Sequence, residues 1–197
     1  MSLIICYTGI NGSVIVGDKR RIGFFGNEKK RELLEEELYS GSIKTQETLL
    51  KRAGELGITL KITDEAEKVR AIGEVVMGEV SFKSPQETKR KRIYATTGSF
   101  SKVELLGSTV KKIENGDNSI VVFGNKFTKE TANKILKKHW KKKTTLKEVG
   151  EIFKLVMEEV ARKTPSVSQE YNLIIKHPSL DNKQSRELLR TTIIQDV

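Results

Sequence analysis

MSLIICYTGINGSVIVGDKR, residues 1–20, is the stretch on which the reading of this chain turns. Ser2 stands directly behind the initiator Met1. An apolar run follows at 3–8, then the turn GING (9–12), then a second apolar run that ends in Asp18, Lys19 and Arg20. Asn and Gly between two such runs predict a β-hairpin. A chain end is ordinarily loose and polar, yet this one enters a sheet at once, with a hydroxyl at its tip. The antiparallel return brings residues near 17–20 back beside residues 2–3. Asp18 is therefore expected next to the terminus.

That placement gives Ser2 a possible chemistry. A serine hydroxyl is a poor nucleophile unless a base takes its proton. A chain terminus supplies its own base. Once Met1 is removed, the free α-amine, with a pKa of about 7.7–8.0, lies within one residue of the hydroxyl. A buried Asp beside the amine could orient a lysine ammonium, whose field would lower the pKa of the hydroxyl.

Working outward, EKKRELLEEELY (28–39) has helical apolar spacing, and Gly41 with Ser42 ends it. TQETLLKRAGEL (45–56) reads as a second helix with Thr45 as its cap, half of a capping box with Thr48, and Gly57 as its stop. ITLKI (58–62) is a short strand. KVRAIGEVVMGEVSF (68–82) alternates around Gly73-Glu74, as a hairpin does. SPQETKRKR (84–92) reads as a polar connector, 92–98 and 103–113 as strands, ENGDN (114–118) as a turn, and SIVVFG (119–124) as a buried strand. Helices are predicted at 128–140 and 146–162. The latter carries an apolar stripe at 146, 149, 152, 153, 156, 157 and 160 and stops before Pro165. EYNLIIK (170–176) is a buried strand, and the tail after Pro178 is polar, with SRELLR as a short helix. This order predicts an α+β layered plan rather than regular βαβ winding.

The 197 residues suit one domain with a sizeable core. Charged residues make up 31%, and no apolar run approaches the roughly 20 residues of a membrane span, so no membrane partner is expected. A lone Cys6, read as a small core residue, and the absence of a secretory pattern point to the cytoplasm. The net charge of +10 suggests an acidic protein partner or, less readily, nucleic acid, because no nucleic-acid-binding signature is found. KKHWKKK (137–143) suits a helix C-terminus equally well. Phosphate-loop patterns are absent. His139 and His177 have no partners at metal spacing, so neither a metal nor a cofactor is expected.

Ser2, the apolar strand, the NG turn and GDKR (17–20) resemble the opening of proteasome β subunits and other N-terminal-nucleophile hydrolases. Counted from Ser2, Asp18 and Arg20 fall where that family carries its site Asp and Arg. The family's lysine opens a hairpin of the form Lys-apolar-x-x-apolar-small-acid. KVRAIGEV (68–75) fits it, which makes Lys68 the expected residue, with 28–62 as extra chain before it. Lys29 and Lys30 are nearer the usual spacing, but a helix pattern follows them. TPSVSQEYNLII (164–175) resembles the proteasome loop whose Asp and Ser support the nucleophile. Thr164 stands in place of that Asp, and Ser166 or Ser168 would be the Ser.

More closely, the chain resembles the Connectase family of archaeal proteasome-like proteins. The resemblance implies an α+β, proteasome-like N-terminal-nucleophile fold, a layered αββα sandwich of antiparallel sheets with a helical insertion. It implies a catalytic domain over 2–178 with the insertion at about 28–66, and a tail at 179–197 or the start of a further domain. Proteasomes insert two helices where this chain has only 83–91, so that helical layer is expected to be thin or rebuilt from 28–57. The implied activity is transpeptidation. A Lys-Asp-Pro-Gly-Ala type motif is cleaved through an acyl-enzyme on Ser2 and passed to another amine, the natural substrate being a methanogen methyltransferase subunit. The implied catalytic set is Ser2, Asp18, Arg20, Lys68, Thr164, Ser166 and Ser168, with backbone N–H groups near Ser81 or Phe82 as the oxyanion hole. The partner is a peptide or protein carrying the motif, and the chain is expected to be a monomer. A catalytically inactive proteasome-like module that binds an acidic partner or nucleic acid, and an N-terminal-nucleophile protease, are the other readings.

Overall fold

The structure is a computed structural model that describes residues 3–83, 87–141, 144–178 and 180–197. Strands β1 (Ile4–Gly9) and β2 (Gly12–Asp18) form the expected hairpin, with Ile4 opposite Gly17 and Gly9 opposite Gly12. β3 (Arg21–Phe25), helices α1 (Glu28–Tyr39) and α2 (Gln46–Leu56), and β4 (Thr59–Thr63) come next. A meander of β5 (Val69–Ile72), β6 (Val75–Lys83), β7 (Thr88–Ala95), β8 (Ser99–Leu106) and β9 (Thr109–Asp117) follows. β10 (Ser119–Phe123), α3 (Lys126–His139), α4 (Leu146–Ala161), β11 (Tyr171–Lys176) and α5 (Asn182–Asp196) complete the chain.

The first hairpin is the centre of a four-stranded sheet ordered β10-β1-β2-β11, antiparallel throughout. Every residue of β2 is buried. Alternation along these strands serves two cores at once. Leu3, Ile5, Val14 and Val16 pack with Ala132 and Ile135 of α3 and with Phe153, Val156 and Met157 of α4. Ile4, Cys6 and Ile15 point the other way, onto Val69, Val76, Ile93 and Ala95 of the five-stranded sheet. Cys6 is thus a core residue, and burial pushes its thiol well above the ordinary range. The far face of the five-stranded sheet carries Val75, Met77, Tyr94, Val103 and Leu105, and α5 covers it through Leu189 and Ile193.

The insertion is built on its own core. Leu34, Leu38, Ile43, Leu49, Ala53 and Ile58 are buried together, and β3 pairs with β4 in a separate two-stranded sheet. Thr45 caps α2 by accepting the Thr48 N–H, and Gly57 ends it in the left-handed conformation at φ 67°. Gly41 is where the insertion meets the main body. A Cβ there would lie 2.4 Å from the Phe127 ring of α3.

Four expectations are corrected. Most of the supposed connector 84–92 that is described belongs to β7, where Thr88–Arg92 pair with β6. Most of ENGDN is strand: Glu114–Asp117 extend β9, the chain turns only at its last residue, Asn118, with φ 39°, and a separate turn lies earlier, at Gly107 with φ 58°. Gly116 serves packing there, since a Cβ would lie 2.5 Å from the Phe100 ring. β3 was not expected at all. The tail forms a helix of 15 residues rather than a short one, and this helix, not the 28–57 insertion, covers the outer face of the five-stranded sheet.

Candidate active site

The hairpin register that sets Ile4 opposite Gly17 carries Asp18 beside Leu3. The two backbones are joined there, the Asp18 N–H donating to the Leu3 carbonyl at 3.1 Å. The Asp18 side chain is fully buried and uses both oxygens. Oδ1 accepts the Leu3 N–H at 2.8 Å. Oδ2 accepts the Arg20 N–H at 2.9 Å and the Lys68 Nζ at 2.8 Å. Lys68 Nζ also donates to the Arg20 carbonyl at 2.5 Å. Leu3 is the first described residue. Ser2, the expected nucleophile, lies outside the described residues.

Lys68 reaches Asp18 because β2 and the start of β5 run close. Gly17 makes room for this, since a Cβ on it would meet Val69 Cγ1 at 2.8 Å and Lys68 Cβ at 3.6 Å. β6 fastens the other side, with the Glu79 N–H donating to the Lys68 carbonyl at 2.8 Å. The Lys68 side chain is 9% exposed. Burial pulls its ammonium below the ordinary lysine range, and the charge and hydrogen bond of Asp18 work against that pull. A buried amine held next to a buried carboxylate is the setting in which a lysine's charge bears on neighbouring chemistry.

Arg20 sits at the junction of three segments. Its guanidinium grips Asp64 with two of its three nitrogens, Nε to Oδ1 at 2.8 Å and Nη2 to Oδ2 at 2.7 Å. Nη1 donates to the Pro165 carbonyl at 2.9 Å. The hydrogen bond from Arg20 holds the Asp64 carboxyl below its ordinary range, while Asp64 holds the guanidinium above its own. Asp64 was not expected from the sequence. The residue is one of three acids, with Glu65 and Glu67, after a short strand, and nothing in its spacing connects it to Arg20.

The loop between α4 and β11 closes the third side. Ser168 is buried, accepts the Lys19 N–H at 2.8 Å and donates to the Glu170 carbonyl at 2.6 Å. Thr164 and Ser166, also buried, pair through their hydroxyls at 2.9 Å. The structure therefore brings Ser168 to the turn that follows Asp18 and joins Thr164 to Ser166, with Pro165 between them reaching Arg20. Lys29 and Lys30 stand exposed on α1. Ser81 and Phe82 lie along β6, paired with Arg90 and Lys89, beyond the point where β6 meets Lys68.

A groove of about 790 Å³ lies elsewhere, between β8, β9 and α5, and is lined by Phe100, Ile113, Leu189, Ile193 and Ile194. It holds no reactive cluster. The perturbed lysine and the buried carboxylate locate the chemistry better than the volume of that groove does. Among the described residues, no three His, Cys, Asp or Glu side chains gather as metal ligands would, and no helix is long and apolar enough to cross a membrane.

A sequence model of the family described as "Connectase MJ0548-like, N-terminal domain" matches residues 1–197. A comparison with characterised proteins found no match. Among solved structures, a Gly-1 mutant of Anbu from Hyphomicrobium sp. strain MC1 is 10% identical, with a TM-score of 0.51, over 99% of this chain and 94% of that one. Anbu from the same strain is 10% identical at a TM-score of 0.50, over 98% and 94%. At that identity the likeness concerns the fold alone, which is the proteasome-like N-terminal-nucleophile fold.

Proposed function

The chain belongs to the Connectase family, and on that premise we propose that it is a sequence-specific transpeptidase with Ser2 as its nucleophile. The observation that carries this reading is the buried Asp18–Lys68 pair, whose carboxylate also holds the N–H of Leu3, the residue next to Ser2. In this mechanism the chain loses Met1. Ser2 Oγ then attacks the Asp carbonyl in a Lys-Asp-Pro-Gly-Ala type motif, and the α-amine takes the hydroxyl proton. The amine passes that proton to the proline nitrogen as the Asp–Pro bond breaks. The Pro-Gly-Ala fragment leaves, and the N-terminal fragment remains as an ester on Ser2. A second Pro-Gly-Ala amine attacks the ester, restores the peptide bond and returns the hydroxyl.

In this reading Lys68 acts as an ammonium that lowers the hydroxyl's pKa, and Asp18 and Arg20 hold it. Ser168 fixes the strand end, while Thr164 and Ser166 shape the loop beneath. Residues 2–178 form the catalytic unit, with 28–66 inserted. The chain works as a cytoplasmic monomer, without a cofactor, on a protein carrying the motif, naturally a methanogen methyltransferase subunit. Its net charge of +10 favours an acidic substrate surface.

Intact mass tests the proposal. The native chain and Ser2→Ala are incubated with and without a peptide carrying Lys-Asp-Pro-Gly-Ala. A native chain lacking Met1 should gain the mass of the N-terminal peptide fragment, and Ser2→Ala should not. Release of that fragment onto a Pro-Gly-Ala peptide identifies a ligase. Release onto water alone identifies a protease and overturns the transpeptidase reading. A chain that keeps Met1 and never gains mass overturns the enzyme reading altogether.

A further inference from the structure

The segment after β4 runs alongside the turn after β2, and alternate residues of it touch that turn. Asp64 grips the Arg20 guanidinium, the Ala66 N–H donates to the Lys19 carbonyl at 3.0 Å, and Lys68 reaches Asp18 and the Arg20 carbonyl. Period-two contacts of this kind mark an extended strip laid against its neighbour. Arg20 is held at every polar group it has. Its N–H goes to Asp18, its carbonyl to Lys68, and its side chain to Asp64 and Pro165. The guanidinium is 12% exposed and the Asp64 carboxylate 35%, so the pair is partly shielded from water and from salt.

A bidentate pair of hydrogen bonds fixes a guanidinium in direction as well as position. Fixing the Arg20 side chain fixes its backbone, and the Arg20 carbonyl is one of the two acceptors of the Lys68 ammonium. A second effect is electrostatic. The charged groups that act on Lys68 are Asp18 of β2, Arg21 of β3 and Asp64 after β4. Two of the three are acids, and they oppose the burial that would strip the ammonium of its proton.

We propose that Asp64, delivered by the insertion, is a positioning residue of the acyl-transfer centre, gripping Arg20 so that the Arg20 carbonyl and Asp18 together hold Lys68 as an ammonium. The role of the centre rests on the transpeptidase reading above. The hold on Lys68 does not. Helices α1 and α2 are thereby more than an appendage, because the strand that leaves them carries the acid the centre leans on.

The test separates the two claims. The native chain, Asp64→Asn and Asp64→Glu are labelled with 15N-lysine, and the Lys68 Nζ resonance, assigned with Lys68→Arg, is followed through pH. Acyl-enzyme formation is timed by intact mass on the same samples. Asp64→Asn should lower the midpoint of Lys68, because a negative charge that favours the ammonium is gone. It should slow acylation about 10-fold with KM nearly unchanged, the loss falling on alignment rather than on substrate binding. Asp64→Glu should recover most of both. An ion pair that merely stabilises the fold would move the melting temperature and leave the Lys68 midpoint where it was, and that result overturns the proposal. Should Asp64→Asn not fold, Arg20→Lys takes its place, keeping the charge and removing the fork, and a native acylation rate there overturns the proposal equally. If the native chain never acylates, the transpeptidase reading falls while the Lys68 midpoint still decides the role of Asp64.

Discussion

Asp18 receives three donors on two oxygens, and each donor comes from a different part of the chain: Leu3, Arg20 and Lys68. Replacing it by Asn would remove the charge and leave a buried ammonium without a counter-ion. Breaking a buried pair from one side ordinarily costs about 3–5 kcal/mol. Asp18→Asn should therefore lower the unfolding free energy read from urea titration by that amount and form no acyl-enzyme, with the native chain measured in parallel. The position of Asp18 beside the terminus was legible because a two-strand hairpin fixes its own register once the turn is known. Lys68 was legible only through likeness to a hairpin motif. Asp64 was not legible, because a contact between 20 and 64 is set by how the insertion folds back and leaves no period in the sequence. Nor was the job of Gly17, whose missing Cβ admits Val69. A glycine inside a strand gives no hint of what crosses it.

At the scale of elements, the sequence reads best where one face is buried and the other wet. α4 buries Leu146, Val149, Phe153, Val156, Met157 and Val160, and those are positions of the predicted stripe. The same helix opens with a full capping box in which the Thr145 hydroxyl accepts the Glu148 N–H and the Glu148 carboxylate accepts the Thr145 N–H. Thr145→Ala should cost about 1 kcal/mol and lower the melting temperature by about 2–4 °C in a thermal scan. β9 failed for the opposite reason. Its residues are largely exposed, so the strand carries Asn, Gly and Asp in an order that otherwise marks a turn. β7 begins in the same way, with charged residues on its open half and four buried ones at its end. Both strands are made by neighbours that supply ladder partners rather than by an apolar period of their own.

Outside the insertion, the molecule is organised by three successive cores, one between helices α3 and α4 and the first sheet, one between the sheets, and one beneath α5. The mixture of antiparallel sheets and helices was legible from the order of strands and helices. The owner of the outer layer was not, because α5 is amphipathic only weakly and shows few apolar residues until Leu188 and Leu189. Leu189→Ala should test that layer, since truncating a leucine that is 2% exposed in such a core costs about 2–5 kcal/mol, read from urea unfolding. The loop that carries Pro165 and Ser168 has a consequence in time. A ribosome adding roughly 5–20 residues per second needs on the order of ten to thirty seconds to pass from Leu3 to Ser168. In the later part of that interval, once Lys68 has been made, the growing chain owns the hairpin, the carboxylate and the lysine, but lacks the carbonyl that steadies Arg20 and the hydroxyl that holds Lys19. The arrangement is completed only by a segment made long after Lys68, so in the growing chain the carboxylate and the lysine exist before the groups that steady their surroundings.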